Sequence, residues 1–464
     1  MDFFIILNSM RRVYLSLVTT IVLFSCAKNQ EHDYVQYYEK GEEFSGGNAT
    51  TFIQSRDAFG QSASGLTDLQ ENSFFVGNSL FNQNWVSAPA STTARDGLGP
   101  MFNAKSCSGC HFKDGRGKPP TFNGEINTGM LFKLIHGNGG DPNYGGQLQD
   151  QALPNIPVEA KMNINYTELV GEFKDGTKYT LRKPEYSITD GQYGFLQATI
   201  SPRVAQQICG LGLLDAVAVS TLMEFVDEAD SDGDGISGKM NQVIDDQTGL
   251  MGYGKFGWKA GKTSLINQNA TAFVNDMGIT SDIFPTQSCA PNQLDCANAS
   301  EGGNPEIILD RLNDVTLYTS VLAVPVRRDY NTEQVLRGKK VFIDAKCNAC
   351  HIQKMLTGIS NINALSNQTI FPYTDLLLHD MGDELADNAQ EFEANGNEWR
   401  TPPLWGIGLV SQVNEHTNFL HDGRARNIME AVLWHGGEAE KSKLEVLELS
   451  LENRNALISF LNSL

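Results

Sequence analysis

Two Cys-x-x-Cys-His segments, Cys107-Ser108-Gly109-Cys110-His111 and Cys347-Asn348-Ala349-Cys350-His351, carry the strongest chemical signal in this 464-residue chain. Two thiols at that spacing can bond the two vinyl groups of a haem. The histidine that follows then falls beneath the iron as its axial ligand. A lone Cys-x-x-Cys would also suit a redox dithiol or half of a zinc site. Two copies, each with its histidine in place, make two covalently bound haem c groups the expected cofactors. His111 and His351 are then the expected iron ligands. Thioether bonds consume the sulfurs, which argues against a thiol–disulfide role.

The other cysteines sort by context. Cys289 and Cys296 flank a Pro/Asn/Asp loop and are expected to form a local disulfide in an oxidising compartment. Cys209 lies in the apolar run 208–214 and reads as a buried free thiol. Oxygen ligands cluster elsewhere. Asp230, Asp232 and Asp234, followed by Gly235, match the front half of an EF-hand-type calcium loop. Asn241 stands where that loop places a bidentate glutamate. Calcium is therefore an expected ligand, with an acidic solvated turn as the competing reading.

The N-terminus reads as an address. Arg11 and Arg12 precede an apolar run, Val13 to Phe24, that is too short for a permanent bilayer span. Leu23-Phe24-Ser25-Cys26 has the form of a bacterial lipobox, so Cys26 is the expected lipidation site. The polar stretch from Lys28 to Asn48 reads as a tether. The expected location is the bacterial cell envelope, facing the periplasm or the cell surface, with a membrane contact through the lipid. Lys and Arg total 35 and Asp and Glu 55, a net charge of −20. That balance argues against a nucleic-acid partner. An electron donor or acceptor protein, or a small redox carrier, is the expected partner, and a basic one would be steered by this charge.

The elements that must position the haem segments can be read from periodicity. An apolar stretch, Phe74 to Phe81, leads into the first. Before the second, Asn331 and Gln334 fit a capping box opening a helix with Val335, Leu336, Val341 and Phe342. Leu457, Phe460, Leu461 and Leu464 form a helical stripe expected to pack on that lead-in helix. Asp175-Gly176, between Glu172-Phe173 and Tyr179-Leu181, suggests a small β-hairpin. The expected fold is mainly α: two cytochrome c-like haem domains with an intervening mixed segment containing the hairpin and the acidic loop. The expected division is a signal peptide at 1–25, a tether at 26–60, the first haem domain with its distal-pocket segment at 61–225, the intervening segment at 226–330 and the second haem domain at 331–464.

From about residue 70 onward the chain resembles the di-haem oxidoreductase family, within the di-haem cytochrome c peroxidase and MauG superfamily. The matching segments include Gly97 to Asn103, Ser201-Pro202-Arg203-Val204, Asp232 to Gly238 and Phe256 to Gly261. They continue with Pro372 to Gly382, Glu398 to Gly406 and Phe419 to Arg424. The resemblance implies that the second axial ligand of the C-terminal haem lies fourteen residues after His421, which is His435. The local pattern agrees: Asn427 and Glu430 form a capping box, and Gly436-Gly437 follows His435. A His351/His435 haem would be six-coordinate and low-spin. The resemblance also places a glutamine and a glutamate over the first haem. Gln149, Gln151 and Pro157-Val158-Glu159 match that segment, with Glu159 as the expected acid–base catalyst and Gln151 beside it. The superfamily's inter-haem tryptophan has no counterpart in 136–141. His379 and Arg424 match family motifs, and contact with haem propionates is the expectation for them.

The expected function is a cell-envelope di-haem c-type cytochrome oxidoreductase, peroxidase-like. A low-spin haem (His351/His435) would pass electrons to an open catalytic haem (His111, Glu159). A pure electron-transfer di-haem cytochrome without a substrate is the alternative.

Overall fold

The computed structural model describes residues 34–464 apart from 126, 128 and 138. The signal sequence, His32 and the lipid-site residue Cys26 lie outside the described residues. Two helix pairs organise the rest. Helix α1 (Asp68–Asn82) opens on a Thr67/Gln70 capping box and buries Phe74, Gly77, Leu80 and Phe81. It packs on a partner that comes late in the chain. After α2 (Leu265–Asp276), helix α3 (Leu309–Val321) lays Leu312, Val315 and Tyr318 against it. Helix α4 (Glu333–Asp344) leads into the second Cys-x-x-Cys-His segment. Its N-cap is Thr332, one residue beyond the expected capping box, and no side chain caps it. Helix α5 (Ile428–Leu433) begins at Asn427, whose side chain accepts from the Glu430 amide at 2.9 Å, as expected. Helix α6 (Leu451–Ser463) packs its Leu457, Phe460 and Leu461 stripe on α4, also as expected.

The two pairs are built alike. Gly77 in α1 and Gly338 in α4 sit where the helices cross. A Cβ there would lie 2.1 Å from the Asp314 carbonyl oxygen and 1.9 Å from that of Ala456. Four residues on, Phe81 and Phe342 each place a ring against a motif histidine, 6.2 Å from His111 and 6.3 Å from His351. Gly77-x-x-x-Phe81 and Gly338-x-x-x-Phe342 are one device used twice.

The expectation of a mainly α fold is not met. Helix accounts for 29% and strand for 18%, too much strand for that class. The strand is spread over several two-stranded sheets. Strand β1 (Met130–Ile135) pairs antiparallel with β4 (Thr199–Val204). Between them, β2 (Lys161–Glu172) and β3 (Lys178–Thr189) form a twelve-residue-a-side hairpin, turning at the expected Asp175-Gly176. Apolar alternation marks only its far ends, Met162-Ile164-Tyr166 and Tyr186-Ile188, and the stretch from Thr167 to Val170 is exposed, so the sequence showed the turn but not the length. The hairpin is a clasp. Its Arg182 donates to the Gly423 and Arg424 carbonyls, Tyr186 donates to Asp422, and Asp175 at its tip pairs with Arg454 of α6. A short ladder, β5 (Leu378–Asp380) with β6 (Glu398–Arg400), sets His379 opposite Trp399.

The stretch expected to be a tether is docked over its described part. Glu42 is fully buried and ion-paired with Arg327 and with Lys339 of α4, and Thr50-Thr51 pairs with Val324-Pro325. Buried charges need such partners, and a partner nearly 300 residues away leaves no local pattern. No helix among the described residues is long and apolar enough to cross a membrane.

Candidate active site

Cys347, Cys350 and His351 line a largely apolar cavity together with His435. Its wall is built from aromatic and aliphatic side chains of several elements, among them Phe342, Trp258, Trp399, Leu457 and Leu461, a lining that suits an apolar macrocycle rather than an ion. The histidine geometry is informative. His351 donates from Nδ1 to the Tyr373 carbonyl at 2.9 Å, and His435 donates from Nδ1 to the Ala431 carbonyl at 2.7 Å. A carbonyl can only accept, so each Nδ1 carries the proton and each Nε2 keeps a lone pair. Burial keeps both rings neutral. The His351 pKa falls to about 4, through desolvation and then the neighbouring His435, and desolvation lowers that of His435. Helix α5 delivers His435, and the turn at Tyr373 fixes His351.

The first segment repeats half of this arrangement. His111 donates from Nδ1 to the Gln206 carbonyl at 2.6 Å, and desolvation lowers its pKa. Two of the other histidines in the described residues have both ring nitrogens engaged. His416 donates to the Arg116 carbonyl and accepts from the Asn418 amide. His379 donates to Asp375 at 2.8 Å and to Glu438 at 2.7 Å. Burial disfavours the charged His379 ring, but Cys350 and the two carboxylates outweigh it and hold its pKa well above the ordinary value. His136 is exposed, at the end of β1. Burial raises all four motif thiols, Cys107 and Cys347 to about 12, which removes the thiolate that dithiol chemistry uses.

The acidic groups whose charge reaches Cys110 are Asp276 and Asp150. Neither stood out in the sequence, because Asp276 ends α2 more than 160 residues after the motif. Gln147 donates to Asp276 at 2.8 Å and Asn103 to Asp150 at 3.0 Å; burial raises Asp276 to about 6. Glu159 lies behind this layer and is 1% exposed. It accepts from the Gln149 amide at 2.5 Å and from Gln293, and burial pushes its pKa up to about 8. Gln149 donates to the Asn275 carbonyl at 2.8 Å, with its own Oε1 buried and unpartnered; Gln151 donates to the Asn103 carbonyl. The segment 147–151 thus connects Glu159, through the Gln149 amide and Gln147, to Asp276, whose charge reaches Cys110.

An aromatic array lies on the wall of the second cavity. Trp258, Trp399 and His421 line the cavity. Trp399 and His421 stack at 3.8 Å, and Trp258 meets His421 edge-on at 6.4 Å. Lys259, fully buried and paired with Asp387 at 2.8 Å, sits 4.5 Å from the Trp399 ring centre. These tryptophans belong to segments the sequence singled out, but nothing local marked them as neighbours. Arg424, expected near a propionate, instead pairs with Asp422 at 2.7 Å and stacks over Trp434.

Cys289 and Cys296 form the expected disulfide, and Cys209 is buried and free. In the acidic loop Asp227, rather than Asp234, joins Asp230 and Asp232, their oxygens lying within 4.8 Å of one another. Asp234 and Asp232 accept from loop amides. Asn241 is turned away, donating to the Lys259 and Glu391 carbonyls.

Taken together, two cysteine-pair-plus-histidine sites, one of them facing a second imidazole, define a protein built to hold two haems. The chain belongs to the family described as "Di-haem oxidoreductase, putative peroxidase", whose profile matches residues 38–131 and 149–464. A search of curated proteins finds no match. The residues fit the haems the family implies. His111, His351 and His435 each present a neutral Nε2 lone pair, and the cavity beside the second cysteine pair has the apolar lining that a macrocycle needs.

Proposed function

We propose that this di-haem oxidoreductase is a cell-envelope, peroxidase-like c-type cytochrome, lipid-anchored at Cys26 and fed by an external electron carrier. The observation that carries the reading is the asymmetry of the histidines. Two imidazoles with free Nε2 atoms line the cavity of the second site, whereas at the first, among the histidines of the described residues, His111 alone is presented in this way. The second site is thereby suited to a low-spin electron store and the first to an iron with an open face. When bound, the haems supply one-electron redox steps at both irons and a place for peroxide at the first. Reduction of one peroxide to two waters consumes two electrons and two protons.

The chain's own part is ligation, proton supply and orientation. His111, His351 and His435 hold the irons, with tautomers set by backbone carbonyls. Cys107, Cys110, Cys347 and Cys350 bond the macrocycles. Glu159, with its pKa raised to about 8, keeps its proton at neutral pH and is the acid–base group. Gln149 and Gln151 orient peroxide, since an amide can hydrogen-bond it but not carry its proton. The loop of Asp227, Asp230 and Asp232 is a calcium candidate, supported by its clustered oxygens.

Stopped-flow reaction of the prereduced protein with peroxide tests this reading. Glu159→Gln keeps size and hydrogen bonding but carries no proton, so turnover should fall about a hundred- to ten-thousand-fold with both haems attached. A wild type that is inert to peroxide, with its first haem low-spin, would make the protein an electron-transfer cytochrome instead.

A further inference from the structure

Two buried guanidinium groups on the wall of the second cavity lack a counter-ion. Arg116 is 9% exposed and Arg400 4%. Burial lowers the pKa of each to about 10, so both remain charged at neutral pH. Arg116 donates to the Asn418 carbonyl at 2.7 Å and to that of Leu420. Arg400 donates to the Gly257 carbonyl at 2.8 Å, to Thr401 and to the side-chain oxygen of Gln206 at 2.9 Å. Among the described residues, neither has a carboxylate within 4.0 Å. The acids whose charge they feel are committed to other cations: Asp422 to Arg424 at 2.7 Å, and Asp375 to His379 at 2.8 Å. An unpaired buried charge costs several kcal/mol in general, and proteins keep one where something else completes it.

Gln206 supplies the third observation. Its Nε2 is buried and has no hydrogen-bond partner, while its Oε1 is held by Arg400 and its side chain lines the same cavity. Its backbone carbonyl accepts from His111. This wall of the cavity is therefore the one shared with the first site.

Two cations and an orphan amide donor lining one cavity call for an anion with more than one acceptor oxygen. We propose that Arg116, Gln206 and Arg400 form a carboxylate subsite for the two propionates of the haem in the second cavity, with Gln206 as a positioning residue. The inference rests on the di-haem reading and assigns that haem an orientation, its acidic edge toward the first site. Arginine suits the role because its planar fork matches a carboxylate. A cation at that edge favours the iron state carrying the extra electron, so the subsite raises the potential of the second haem.

The experiment is a spectroelectrochemical titration of the full haem-loaded protein, wild type beside Arg400→Gln, Arg400→Lys and Gln206→Leu. Haem-stained denaturing gels run in parallel. Arg400→Gln should move the second haem to a more negative potential and leave the first in place. Gln206→Leu should give a smaller shift of the same sign, and Arg400→Lys, which keeps the charge, should recover most of the wild-type value. A merely structural role for Arg400 would not make the potential follow charge. If Arg400→Gln does not fold, Gln206→Leu decides, since it removes one donor at constant size. Unchanged potentials in the variants that retain two haems overturn the subsite. A wild type staining for fewer than two haems overturns the di-haem reading itself, which the gel shows separately.

Discussion

On the proposed ligation, His435 is the residue on which the electronic character of the second site turns. Its Nδ1 proton is committed to the Ala431 carbonyl one helical turn back, so the ring cannot rotate without giving up that bond. Its Nε2 has therefore one direction to face. Replacing it, as His435→Ala, should convert the second haem from low-spin to high-spin or water-ligated, because a strong-field donor is lost. The potential of that haem should rise for the same reason. Visible and electron paramagnetic resonance spectra beside a redox titration check both outcomes. An unchanged low-spin signal would assign the sixth ligand elsewhere.

At the scale of elements, the repeated helix pair is the positioning device. Gly338 brings α4 onto α6 so closely that a methyl group would meet the Ala456 carbonyl, and Phe342 one turn later packs on both His351 and Phe460. Overpacking of this kind costs about 1–3 kcal/mol, and more where backbone is the obstacle. Gly338→Ala should lower the midpoint of chemical unfolding accordingly and broaden the spectrum of the second haem. The first, seated on the α1–α3 pair, should keep its spectrum. Gly77→Ala should do the reverse. The hairpin works at the same scale: by holding Asp422, Gly423 and Arg424 it fixes the loop that carries His421 to the Trp399 face.

The whole molecule is acidic, with 35 basic against 55 acidic side chains. If its electron donor is basic, encounter is accelerated by long-range attraction that salt screens over a Debye length of about 8 Å at physiological ionic strength. The second-order rate of reduction by such a carrier should therefore fall steeply as salt is added, whereas a neutral small-molecule reductant should show little dependence. The proposed lipid anchor is a separate property of the same molecule. Cys26→Ala should move the protein from the membrane fraction to the soluble one with both haems in place, and retention at the membrane would rule out the lipid.

The haem chemistry was legible in the sequence because it is local: Cys-x-x-Cys-His is five consecutive residues, and the disulfide loop and the Asn427 cap are as compact. That His435 reaches the second cavity was legible through resemblance, and the α6 stripe through helical periodicity. What the tertiary structure decided is whatever joins distant segments. The α1 helix finds α3 more than 220 residues away, and the hairpin joins an apolar face (Met162, Ile164, Tyr166, Tyr186 and Ile188) packed on β1 to polar contacts with the 421–426 loop. The Trp258–His421–Trp399 array and the uncompensated Arg116 and Arg400 are likewise products of packing. Burial turns ordinary surface residue types into costly or reactive ones, and burial of a polar side chain depends on partners that no local spacing encodes.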